Sequence, residues 1–167
     1  MSGIRVMTLT AVIIIALCTT PLASALAGEK YKGRHIFYTT KFESIEVGDE
    51  EGHIIAIVER KGIHTDFGKK PFSDGWPIHH VGIIDMNIKT GAGTASGYDV
   101  LTDKDGDKVI HKFQGGPGES GQWEGTVTFI KGTGKWKGIK GKGTWLWYDI
   151  PPNQGYGDNE WDVELPK

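Results

Sequence analysis

Residues 132–145 read GTGKWKGIKGKGTW, with five glycines, four lysines and two tryptophans in fourteen positions. Such a stretch suits a phosphate-cradling loop, a flexible linker or a structural corner, and the choice decides the fold class. A P-loop needs G-x-x-x-x-G-K-[ST]; taking Gly141-Lys142 as its glycine–lysine pair puts Trp136 at the first glycine and Gly143 at the Ser/Thr place. The dinucleotide fingerprint G-x-G-x-x-G fails too, because Gly132 and Gly134 are followed by Lys137, with glycine only at 138. Both motifs also require a following helix, and 143–150 (GTWLWYDI) has the character of a strand. A linker has nothing to bury, whereas Trp136 and Ile139 do. The corner remains: glycines give the backbone positive φ and close approach, and the two apolar residues plug the end of a barrel.

The glycines elsewhere agree. Of 25 in the chain, 24 follow residue 27, more than twice the usual share of about 7%. They punctuate short alternating apolar segments, as in an all-β fold with tight turns. Eight strands are predicted, over 34–47, 53–64, 78–89, 93–102, 108–114, 122–131, 143–150 and 160–165. The loop TDFGKKPFSDGWP (65–77) is the one connection long enough to act as a lid. No segment after the N-terminus has helical periodicity. Eight strands with short connections predict a closed, eight-stranded antiparallel β-barrel, which abolishes exposed strand edges and has room for packed side chains or one small ligand.

The chain opens MSGIRVMTLTAVIIIALCTTPLASALAGEK. Arg5, an apolar run from Val12 to Leu17, Pro21 and Ala25-Leu26-Ala27 have the layout of a secretory signal cut after Ala27. The run is too short to span a bilayer, although a retained anchor is the alternative. Leu17 before Cys18 is a poor fit to a lipoprotein site. The expected arrangement is a signal over 1–27, one barrel domain over 28–167, no membrane span after cleavage, and a secreted or periplasmic location. The exported part carries 21 acidic residues against 18 basic ones once Arg5 is removed, which disfavours a nucleic-acid partner. Its only cysteine, Cys18, leaves with the signal, so its stability rests on a core in which six tryptophans supply large apolar area.

With corner and strands in place, a resemblance emerges. GTGKWKGIKGKGTW is similar to the G-T-G-x-[aromatic]-x-x-x-x-G corner of the allene oxide cyclase and dirigent protein superfamily and of its exported bacterial relatives. GAGTASGYDVLTDKDGDKV, with its Asp-Gly turn, resembles the hairpin that precedes it. The resemblance covers about 30–165 and implies an eight-stranded barrel with an apolar cavity. Characterised members cyclise an unstable fatty-acid epoxide or steer coupling of phenoxy radicals, jobs of shape control in which the cavity holds a reactive molecule in one conformer. It implies a small apolar or phenolic ligand, and relatives often dimerise or trimerise. The match lies in scaffold glycines, so no catalytic residue of the family transfers to a position here.

Candidate site residues come from strand alternation instead. Val109, His111 and Phe113 share a face expected to look inward, which makes His111 either a structural core histidine or a cavity acid–base group. One of Glu59 and Arg60 points inward; an inward Glu59 would be a carboxylate acid or base, and an outward one half of a rim ion pair. Asp85, between Ile83 and Asn87 on one face, and Tyr98 could orient a ligand or satisfy one another. Trp123, Val127 and Phe129 share a face, as do Trp145 and Trp147; all are core first, with Trp123 also a candidate ligand contact. Trp76, in the long loop, is a plug or a ligand-gripping lid residue. Adjacent His79 and His80 face opposite sides, and no His-x-His pair supports a metal site that His53, His64 and His111 could build. Asp103, Asp105 and Asp107 alternate like a calcium loop, but its twelfth position is Gln114, so a hairpin turn explains them better. No cofactor is implied. Three functions stay open: a barrel that binds or steers a small apolar molecule, a cyclase or isomerase with Glu59, His111 or Asp85 as acid or base, and a structural envelope domain filled by its own tryptophans.

Overall fold

The computed structural model describes residues 28–69, 72–119 and 121–167; the expected signal, 1–27, lies outside them. Eight strands, β1 (Glu29–Glu46), β2 (His53–Asp66), β3 (Pro77–Asn87), β4 (Gly93–Thr102), β5 (Lys108–Pro117), β6 (Trp123–Gly132), β7 (Lys140–Ile150) and β8 (Gln154–Glu164), pair in chain order. Every neighbouring pair is antiparallel, and β8 returns to β1 to close the barrel. Closure pairs Tyr31 with Trp161 and Phe37 with Gly155.

Three strands start well before the positions the sequence suggests, β1 among them at Glu29 rather than 34. β7 begins at Lys140 and β8 at Gln154, so Gly155, Tyr156 and Gly157 are strand rather than loop. A Cβ on Gly155 would sit 2.3 Å from Trp147 Cζ2, so this glycine exists for close approach rather than for a turn. Glycine-rich sequence hides such a strand because it lacks the side-chain alternation by which strands are recognised.

Alternation sorts the side chains. Val58, Leu101, Val109, Val127, Phe129, Trp161 and Val163 point inward and are buried. One end is closed by Tyr31, Phe72, Trp76, Trp136 and Ile139, with Trp76 and Trp136 ring centroids 5.2 Å apart.

The 132–145 stretch supplies part of that plug. Gly134 has φ +48° and opens a short 3-10 turn, Gly134–Trp136. A Cβ there would lie 1.9 Å from Asp107 Oδ1, so no other residue fits. The turn is stitched to the β4–β5 hairpin through Asp103, whose carboxylate accepts from the Asp105 and Asp107 amides, from Trp136 Nε1 at 2.9 Å and from Lys135 at 2.7 Å. Burial pushes this carboxyl up, but the Lys135 and Trp136 hydrogen bonds and the backbone amides outweigh it and hold it at about 2. Asp103→Asn keeps the shape and removes the charge, and is expected to cost about 1–3 kcal/mol at neutral pH. Because the folded value lies below the unfolded one, the loss should vanish as pH falls from about 4 to about 2. Urea titrations at pH 7 and pH 2.5 check both halves of the prediction.

Candidate functional site

Register, rather than sequence proximity, assembles the site. Arg60 on β2 pairs with His80 on β3, His80 with Asp99 on β4, and Asp99 with His111 on β5. Four polar residues from four strands thus form one row across the inner wall, with cross-strand neighbours close enough to touch. His80 Nδ1 lies 2.8 Å from Asp99 Oδ1, and Arg60 Nη1 lies 3.0 Å from His80 Nε2. A guanidinium can only donate, so Nε2 must accept and Nδ1 must carry the hydrogen given to Asp99. His80 is therefore held neutral in one tautomer. Arg60 also lies over the Trp147 ring, 4.6 Å from its centroid.

Above this row the barrel opens into a cavity of about 590 Å³. Its walls are Phe37, Phe113, Trp123, Trp145 and Trp147, its mouth is framed by Phe42, Ile150 and Pro151, and its floor includes His35, Arg60, His80, Asp99 and Asn159. Asp149 stands near the mouth, where Trp147 Nε1 donates to it at 2.6 Å. The Arg60 Nε hydrogen is buried with no partner among the described residues. Burial lowers the guanidinium below its usual range, and Asp149 and Asp99 oppose that shift. Burial raises Asp99, yet the hydrogen bond from His80 and the Arg60 charge hold it ionised below the ordinary carboxylate value.

His35 in the floor and His64 and His111 beneath it are each no more than 3% exposed. Their rings pack on Trp161, with the His64 and Trp161 centroids 4.7 Å apart. Burial pushes all three toward the neutral form, His64 to about 4. Among the described residues no three His, Cys, Asp or Glu side chains are arranged to hold a metal ion.

The residues singled out from sequence are scattered by this geometry. His111 is interior but fully buried below the cavity, 3.6 Å from Asp99. Glu59 is on the outer face, where it meets His79 at 2.7 Å, so Arg60 is the inward member of that pair. Asp85 is also outside and pairs with His53 at 2.8 Å, and Tyr98 is 50% exposed across from Val81. An outward strand position cannot reach the lumen, so Glu59, Asp85 and Tyr98 do not line the cavity. Trp76 packs into the closed end against Phe72 and Trp136, far from the mouth. Trp123 lines the cavity wall. Sequence reasoning weighed His80 only as a metal ligand and did not single out Asp99; the signal available was that adjacent His79 and His80 face opposite sides, so that one of them looks inward.

A closed eight-stranded antiparallel β-barrel with a one-ended lumen defines the fold class of this chain. Its fold is the dirigent-type barrel. The chain is similar to a protein of unknown function from the DUF3224 family of Shewanella oneidensis MR-1, at 14% identity and TM-score 0.52 over 83% of this chain and all of that one. It is similar as well to the pterocarpan synthase dirigent protein GePTS1, at 10% identity and TM-score 0.51 over 93% of this chain and all of that one. A third likeness is to the pterocarpan synthase dirigent protein PsPTS1, at 9% identity and TM-score 0.51 over 84% of this chain and 98% of that one. No protein-family profile and no curated protein sequence matches the chain.

Proposed function

We propose that this barrel, exported to the periplasm or beyond, binds a small, flat apolar molecule and holds it in one conformer, with an acceptor oxygen of the ligand against Arg60. The observation that carries the reading is a buried guanidinium with an unpartnered Nε–H, set in an aromatic-walled cavity of about 590 Å³. That volume falls within the usual range for ligand pockets, about 300–1,000 Å³. A buried unpaired donor costs free energy that a ligand acceptor would recover. The cavity groups carry one positive charge on Arg60 against Asp99 and Asp149, so a neutral ketone or phenol fits better than a carboxylate. Dirigent-like steering matches this economy of means, since shape and one polar anchor suffice. An open lumen lined by Trp123, Trp145 and Trp147 also argues against a domain filled by its own tryptophans.

Tryptophan fluorescence tests this directly, because three indoles line the wall. Titration with 1-tetralone, 4-propylphenol and oleate should quench the first two strongly and the third weakly. Arg60→Met removes a charged hydrogen bond worth about 1.5–3 kcal/mol and should weaken 1-tetralone binding by about 10- to 100-fold. Failure of the whole panel either to quench the indoles or to raise the melting temperature would overturn the reading.

A further inference from the structure

We infer that His80 is a general base that abstracts a proton beside the carbonyl group of a bound ketone, so that the barrel catalyses enolisation or a 1,3-proton shift. This inference rests on the binding reading above and adds chemistry to it. Three observations bear on it. His80 is placed by Asp99, which accepts from Nδ1 at 2.8 Å, leaving the basic lone pair on Nε2. Nε2 belongs to a cavity-lining ring. It is covered by Arg60 Nη1 at 3.0 Å, the same guanidinium whose Nε–H is free to take a ligand oxygen.

That arrangement makes the base conditional on the substrate. With the lumen empty, Arg60 caps the Nε2 lone pair. A ketone oxygen competes for the guanidinium, draws it off His80 and leaves Nε2 exposed beside the carbon next to the carbonyl. His80 Nε2 then takes the α-proton, the C–H electron pair becomes a C=C bond, and the carbonyl π pair moves onto oxygen, where Arg60 balances the charge. Asp99 steadies the imidazolium so formed. Return of the proton from His80 to the α-carbon regenerates the ketone; return to the γ-carbon of an unsaturated ketone moves the double bond. Nothing is oxidised or reduced, and no co-reactant is required. The Trp and Phe walls surround the enolate with apolar surface. His80 is the catalytic residue in this scheme and Asp99 a positioning residue.

The test uses 1-tetralone in D₂O, with loss of its C2 proton signal followed by NMR and binding followed separately by tryptophan quenching. Wild-type protein should exchange the C2 protons at least 10-fold faster than buffer, since a positioned general base contributes about 10²–10⁴-fold. His80→Asn keeps a donor toward Asp99 but has no basic nitrogen, and should bind 1-tetralone within about threefold of wild type while losing the exchange. His80→Gln should do the same, and Asp99→Asn should slow exchange more than it weakens binding. Wild-type protein that binds 1-tetralone without accelerating exchange overturns the inference and leaves the binding reading standing, whatever the variants do. Exchange that survives in His80→Asn overturns it as well. If no probe binds at all, the binding reading fails and takes this one with it.

Discussion

Acidification from about pH 7 to about pH 4 is expected to cost this barrel about 3 kcal/mol through His64 alone, with His35 and His111 adding to the loss. All three histidines are buried in or under the cavity floor, and burial is the first cause that depresses each of them. His64 falls from an ordinary 6.5 to about 4 in the folded chain, opposed only by Asp66 and Asp74. Between those two values the unfolded chain binds protons that the folded chain refuses. Stability is therefore complete above about pH 6.5 and declines as pH drops toward 4. Neither ring nitrogen of His64 or His111 has a hydrogen-bond partner among the described residues, so no acceptor awaits a second proton there. Asp99, 3.6 Å from His111, softens the effect at that ring. Urea midpoints at pH 7.5, 6, 5 and 4 should fall steadily in wild type and more shallowly in His64→Phe. A midpoint that stays level across that window would remove the basis for regarding these rings as neutral core.

Trp161→Ala is expected to destabilise the fold by about 3–5 kcal/mol, a large share of the roughly 5–15 kcal/mol available to a single domain. Trp161 is 3% exposed and sits where β8 meets β1, so it seals the closure of the barrel. Its ring stacks on His64 at 4.7 Å, meets Phe129 edge-on at 5.4 Å, and touches both His35 and His111. Truncation leaves a void that rigid strands cannot collapse into, and removes the apolar ring against which His35, His64 and His111 all pack. The residue does not line the cavity, so 1-tetralone binding should persist at low temperature wherever the variant remains folded. Calorimetry gives the stability and fluorescence the binding. A loss under about 1 kcal/mol would mean that Trp161 is not the keystone of the closed end.

Much of the architecture was legible in the amino acids themselves. Period-two alternation in HIIAIVERKGIH or KVIHKFQ can only be a half-buried strand, and glycines at turn positions mark where such strands end. That Val109, His111 and Phe113 share one face follows from that period alone, and the glycine-rich 132–145 corner from the residues it contains. Alternation also states that one of Glu59 and Arg60 looks into the lumen and that His79 and His80 part company.

Which member faces inward is a matter of parity, and parity is set only when the barrel closes. A shift of one residue exchanges every inward side chain for its outward neighbour, so hydrogen-bond register across the strands is what selected Arg60 over Glu59 and His80 over His79. The same register brought Arg60, His80, Asp99 and His111 into one row although they come from four separate strands. It also sent Asp85 and Tyr98 to the outer surface, where no ligand in the lumen can meet them. Local sequence dictated the strands because period and turn chemistry act over a few residues. The polar row belongs to the tertiary structure because it depends on pairings between residues far apart along the chain.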